Sequence, residues 1–195
     1  MHDTRTAGET STRDRLEAAA LTLFEQHGFD AVTTEQLAAA AGVSTRTFFR
    51  HFPTKIDALL GDIDARTLEF ALRLHRQPPD LGLNEALIAA ITEEEAEATG
   101  ASMLPADLVR ARVLRGTPSL ADEIRTYEAK LERHIAEWIG QRTGHDADDF
   151  RIRVAAGAYV AARRVVVEEW QRSGGTAPVV DLARRSLETV HVTIT

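Results

Sequence analysis

From residue 13 onward, apolar side chains recur at intervals of three and four, the spacing of helices that each bury one face. Leu16, Ala19, Ala20, Leu23, Phe24 and His27 predict a first helix over 13–27, capped by Gly28, with Phe29 and Val32 tucked beneath it. Thr33 then offers an N-cap with Gln36 three residues on, the spacing of a capping box. The Leu37 to Ala41 run that follows is helix-forming and slim enough for close packing. Gly42 supplies the positive φ that ends this second helix, Val43 plugs the turn, and Ser44 caps a third helix over 45–51 that Phe52 and Pro53 close. Phe48 and Phe52, four apart, turn inward together.

Thr54 starts a helix expected to run unbroken over 55–76 through Ile56, Leu59, Leu60, Ile63, Leu68 and Leu72, until Gln77-Pro78-Pro79-Asp80 breaks it. Further helices are expected over 84–99, 106–115, 119–143 and 146–172, with a last one beginning near Pro178. The helix over 146–172 carries two apolar stripes. Phe150, Val154, Ala158, Ala161 and Val165 form one; Ala155, Tyr159, Ala162, Val166 and Trp170 form the other, about 120° around at roughly 100° per residue. A helix apolar on two faces needs two partners. The last two helices are therefore expected to form a homodimer interface by four-helix packing, and burial within one chain is the weaker alternative.

The pattern describes an all-α protein. A polar tail over 1–12 leads to a three-helix head with a helix-turn-helix over 13–60, and a larger helical domain for ligand binding and dimerisation covers 61–195. Composition agrees, being rich in Ala, Leu, Arg and Glu across 195 residues. The absence of cysteine excludes disulfides and thiolate chemistry. No apolar run approaches the roughly 20 residues of a membrane span and the N-terminus is not signal-like, so a cytoplasmic protein without a membrane partner is expected.

Net charge is −7, which at first opposes a nucleic-acid partner. Distribution reverses this: acidic residues crowd at Glu93-Glu94-Glu95 and around Asp146 to Asp149, whereas none falls between Val43 and Ile56, where Arg46, Arg50 and Lys55 lie. The third helix leaves Thr45, Arg46, Thr47, Arg50 and His51 at or near the surface. A short, cationic, hydroxyl-rich helix of this kind suits the major groove, its first side chains reading base edges and the flanking ones holding phosphates. An ordinary helical hairpin with a solvated basic face is the alternative on composition alone. Arg5 and Arg13 precede the head as candidates for a minor-groove arm, set against a plain leader.

Leu37-Ala38, Gly42-Val43-Ser44, Thr47-Phe48-Phe49, His51-Phe52 and Lys55 follow, in order and at fixed spacing, the pattern of the DNA-binding module of the TetR family of transcriptional regulators, which this stretch resembles. The resemblance implies phosphate anchors at Thr34, Thr47, His51 and Lys55 and base-reading positions at Thr45, Arg46 and Arg50. Phe49 stands where many members carry tyrosine, and it can give the sugar-phosphate backbone only van der Waals contact. The resemblance also implies that the helix after Thr54 links a DNA head to an effector domain. Further on, RVLRGTPSL, IAEWIGQRTGHDADDFRIRVAAGAYVAAR and the late Trp170 resemble the effector half of actinobacterial members related to mycofactocin-system regulators, for which acyl-CoA is an expected effector.

Leu72, Leu87, Ile91, Met103, Leu104, Val113, Tyr127, Leu131, Tyr159 and Trp170 lie on helices, or in a loop at Met103, that can surround one apolar cavity. Arg112, with Arg110 and Arg115, is expected at its mouth, holding a carboxylate or phosphate. For any one of these residues, plain core filling is the competing reading. His134 and His145 are too far apart for a metal pair, Glu168 and Glu169 point in different directions, and no nucleophile elbow, HExxH or phosphate-loop motif occurs. No cofactor and no catalysis are expected. The function anticipated is a repressor, released from a palindromic double-stranded DNA operator by a small hydrophobic effector such as an acyl-CoA. A helical enzyme or carrier using the cavity is the alternative.

Overall fold

The computed structural model describes residues 11–97 and 105–190. Regular structure among them is entirely helical, and the chain divides into two compact units after Gly61. The expected polar tail lies almost wholly outside the described residues.

The first unit holds α1 (Thr12–His27), α2 (Thr34–Ala40), α3 (Thr45–His51) and α4 (Lys55–Leu60). Ser11, Thr33 and Thr54 each begin a helix with a complete capping box, closed by Asp14, Gln36 and Asp57. Ser44 caps α3 by accepting the Thr47 N–H. Helices of six or seven residues are marginal alone, so these side-chain caps and burial must hold them together. The core is made by Leu16, Phe24, Leu37, Phe48, Phe52 and Leu59, all essentially inaccessible to water. Gly42 adopts φ 69°, where a side chain would be strained, and lets the chain reverse between α2 and α3. Val43 is half-buried rather than a sealed plug.

The expected continuous helix over 55–76 is broken. Gly61 takes φ 60° and ψ −133°, a conformation open essentially to glycine, and α5 starts afresh at Ile63–Arg76. The apolar periodicity passes through Gly61 undisturbed, which is why the pattern hid the break.

The second unit comprises α5, α6 (Leu83–Glu97), α7 (Pro105–Gly116), a 3-10 turn (Pro118–Leu120), α8 (Ala121–Thr143), α9 (Phe150–Arg172) and α10 (Val179–Glu188). Helix α9 packs on α8, α10 and α7, and α5 packs on α6 and α8. Leu74, Leu87, Leu131, Ile135, Trp138, Ile139, Ile152 and Tyr159 share one core. The start expected at Asp146 is instead a turn, in which the Asp146 carboxylate accepts the Asp148 N–H at 2.8 Å; Asp149 then caps α9 through the Arg151 N–H. Of the two stripes on α9, Ala155, Tyr159, Ala162, Val166 and Trp170 are buried. The other faces out: Phe150 is 77 %, Val154 56 % and Val165 48 % exposed.

Candidate nucleic-acid interface and interior cavity

On α3, Phe48 points into the core and thereby fixes which residues face out. Arg46 and Arg50 are exposed, and Thr45 and Thr47 are half-buried at the start of the helix. The Thr47 hydroxyl lies 3.0 Å from that of Ser44, so the cap also orients it. Phe49 is exposed and meets Phe48 edge-on at 5.4 Å. Thr34, half-buried in the first turn of α2, places its hydroxyl near the Glu35 carboxylate.

Three basic side chains are placed otherwise than expected. His51 is half-buried, and its Nε2 is buried with no hydrogen-bond partner in the structure, so that nitrogen does not reach the surface. Its carbonyl accepts Arg13 Nη1 at 3.0 Å, while the Arg13 guanidinium lies over the Phe52 ring at 4.4 Å. Arg13 therefore clasps α1 to the end of α3 and is no free minor-groove arm. Lys55 turns back into the unit: its ammonium donates to the carbonyls of Phe29 at 2.7 Å and Val32 at 2.9 Å and sits 4.3 Å from the centre of the Phe29 ring.

The second unit holds a partly open cavity of about 320 Å³. Of the residues expected there, Leu87, Ile91, Tyr127, Leu131, Tyr159 and Trp170 do line it. Leu72 does not: it is 49 % exposed on the outer face of α5. Val113 is buried away from the cavity, and Arg112 and Arg115 line a separate, more open hollow with Glu168, Gln171 and Arg172. Arg115 there lies 3.6 Å from Glu168. Arg110, on the same helix, is buried, and this pushes its pKa down. Met103 and Leu104 lie outside the described residues.

The cavity's polar groups were not foreseen. Arg66, Thr67, Glu94, Glu95 and Arg163 all reach it. Arg163 donates to the Tyr127 hydroxyl at 2.9 Å and lies over its ring. Burial pushes the Glu94 carboxyl above its usual range, against the opposing fields of Arg73, Arg163 and Arg66. Glu94 belongs to a charge run that reads as solvated surface along the chain, and only the packing of α6 reveals the difference. Tyr159, whose phenol burial raises to about 12, donates to Asn84 Oδ1 at 2.7 Å. Asn84 Nδ2 in turn holds the carbonyls of Leu187 and Val190 at the end of α10. Trp170 is fully buried on the cavity wall, and its indole N–H meets no acceptor.

Among the described residues, no group of three or more acidic or histidine side chains is placed to hold a metal, and no helix is long and apolar enough to cross a membrane. Residues 16–61 match the family model of bacterial regulatory proteins of the tetR family, and residues 81–194 match that of the MftR C-terminal domain. The HTH-type transcriptional regulator TcmR of Streptomyces glaucescens is 33 % identical over 82 % of this chain and 73 % of its own length. The HTH-type transcriptional repressor KstR2 of Rhodococcus jostii is 26 % identical over 95 % of this chain and 92 % of its own. Among solved structures, Thermus thermophilus FadR, a TetR-family transcriptional repressor in complex with lauroyl-CoA, is 25 % identical with a TM-score of 0.56, covering 90 % of this chain and 91 % of that one. With a capped helix-turn-helix presenting Arg46 and Arg50 and a helical second unit built around a cavity, this chain belongs to the tetR family of DNA-binding transcriptional regulators.

Proposed function

We propose that the protein acts as a homodimeric repressor whose α3 helices read two half-sites of a near-palindromic operator and which an apolar effector releases. The partly open, largely apolar cavity in the second unit carries this reading. Dimerisation is supported by the exposed stripe of Phe150, Val154 and Val165 on α9, which no other part of the described chain covers and which a second copy would bury. Two heads would then address half-sites about 34 to 36 Å apart, or at another spacing set by the dimer. Thr45, Arg46 and Arg50 face the bases in this reading, while Thr34, Thr47, Phe49 and an exposed part of His51 face the sugar-phosphate backbone.

The effector is an apolar chain or ring system bearing a polar or anionic end, which fits an apolar cavity that Arg66 and Arg163 reach. A fatty acyl thioester has both parts, and the FadR relative holds lauroyl-CoA. Any anionic portion would meet Arg66 and Arg163 rather than Arg112 and Arg115, which line another hollow. Occupancy favours a dimer state that no longer fits both half-sites, and the shift cannot exceed the effector's differential affinity for the two states.

The test uses the full-length protein on the DNA fragment it retains from its own genome. Acyl-CoAs of several chain lengths, lauroyl-CoA among them, are titrated into the complex and followed by fluorescence anisotropy. Release is expected, and Arg163→Ala should blunt it while leaving DNA affinity without effector unchanged. If no acyl-CoA alters DNA affinity and an unrelated polar metabolite does, the effector reading fails and the family assignment stands. A monomer in light scattering at micromolar concentration would remove the dimer.

A further inference from the structure

Lys55 occupies the first position of α4, where the partial positive charge of a helix N-terminus disfavours a cation. Its ammonium is half-buried and directed inward, at a seat made by the turn between α1 and α2. The Phe29 carbonyl accepts at 2.7 Å, the Val32 carbonyl at 2.9 Å, and the face of the Phe29 ring closes the third side with its centre 4.3 Å away. An ammonium has three N–H groups and no more. Two carbonyls and one aromatic face use all three, which leaves none for a phosphate oxygen.

We infer that Lys55 is a positioning residue, contributing to DNA affinity by locking the turn that feeds α2 and not by touching the duplex. The inference rests on the DNA-reading role assigned to α3. The turn is anchored on its far side by Phe29, whose ring packs tilted against that of Phe24 of α1, centroids 5.0 Å apart. On its near side the turn runs straight into Thr33, the N-cap of α2, and α2 packs against α3. Lys55 thus ties the start of α4 to the start of α2, and the attitude of the reading helix follows from that tie. Val32 and Phe29 are themselves buried, so the lock lies within the unit rather than on its surface.

Salt dependence separates the two roles. Each phosphate contact contributes about −0.9 to the slope of log K against log salt, so losing one from both protomers of a dimer flattens it by about 1.8. The full-length protein and its Lys55→Met, Lys55→Arg and Arg50→Ala variants are compared by anisotropy on a labelled fragment that the parent retains and on an unrelated duplex, over a series of salt concentrations. Thermal unfolding is followed without DNA. Lys55→Met is expected to lower affinity for every sequence, to unfold at a lower temperature without DNA, and to keep the parent's slope. Lys55→Arg should fail in the same way, because a planar guanidinium is too broad for a seat made of two carbonyls and a ring.

A Lys55→Met head that does not fold at all also supports the inference, since a phosphate contact lends no stability to DNA-free protein. The inference is overturned if Lys55→Met melts like the parent and its slope flattens by the amount of a lost contact, or if Lys55→Arg restores parental affinity. Arg50→Ala is the control: a smaller preference for the retained fragment over the unrelated duplex shows that α3 reads bases. Should Arg50→Ala leave that preference intact, the assignment of α3 as the reading helix fails instead.

Discussion

The two units start their helices by different means. All four helices of the first unit begin on a hydroxyl side chain that accepts a backbone N–H, and three of these caps are reciprocal boxes. In the second unit, α5, α8 and α10 begin at Asp62, Leu120 and Pro178 with no side-chain cap. Length accounts for the caps of α2, α3 and α4, though not for that of the 16-residue α1, and in the second unit Asp149 also caps α9. Helices of six or seven residues cannot repay their nucleation cost locally, whereas the 23-residue α8 and α9 bury long stripes against several neighbours. The head is therefore locally encoded, and the body leaves room for a cavity between long helices.

The most damaging way to probe this contrast is Phe48→Ala. Phe48 is fully buried under α3, and losing its ring should cost about 3 to 5 kcal/mol. DNA binding should vanish while most of the helical circular-dichroism signal, which comes from the second unit, persists. Complete loss of that signal would mean that the head is not stabilised separately.

Arg46→Ala acts on the head's surface alone. A bidentate base contact discriminates by about 1 to 3 kcal/mol, so the variant should bind the operator less tightly while binding unrelated duplexes as before. Equal losses on both would show that Arg46 holds a phosphate. Thr33→Ala removes one half of the α2 capping box and should lower stability by about 1 kcal/mol, measured by denaturant midpoint. An unchanged midpoint for Thr33→Ala would dissolve the proposed difference between the units.

The smallest effect belongs to the body. The native state holds the Glu94 proton more tightly than the unfolded chain does, because burial raises its pKa. Its contribution to stability is thus fully present below the ordinary carboxyl value of 4.5 and is lost as pH rises through the raised one. Glu94→Gln should flatten that decline in thermal melts taken upward from this pH, while leaving the head's DNA contacts unchanged.

How much could be read along the chain follows the same division. The boundaries of α2 and α3, the glycine between them and the inward pair Phe48 and Phe52 were all legible, because capping boxes and turn glycines act within four residues. The destination of Lys55 was not. Its partners lie 23 and 26 residues earlier, and a lysine beside a cationic helix carries no mark of whether it faces solvent or a pair of carbonyls. In the body, six of the expected cavity residues do line it, since helix periodicity alone sends them inward. Leu72 went the other way because the break at Gly61 starts α5 on its own, with Leu68 and Leu72 on its exposed face.

What the amino-acid sequence by itself determined is what short-range physics controls: an all-helical chain, the capped head, the acid-free cationic reading helix and the two apolar faces of α9. Tertiary structure alone decided which face of α9 is covered and that Glu94 leaves its acidic run to line a cavity. It also decided that the Trp170 N–H is buried without an acceptor and that Lys55 spends its charge inside the head. Periodicity says that a side chain needs a partner. Which group becomes that partner depends on helices far apart in the chain, and it is settled only when they pack.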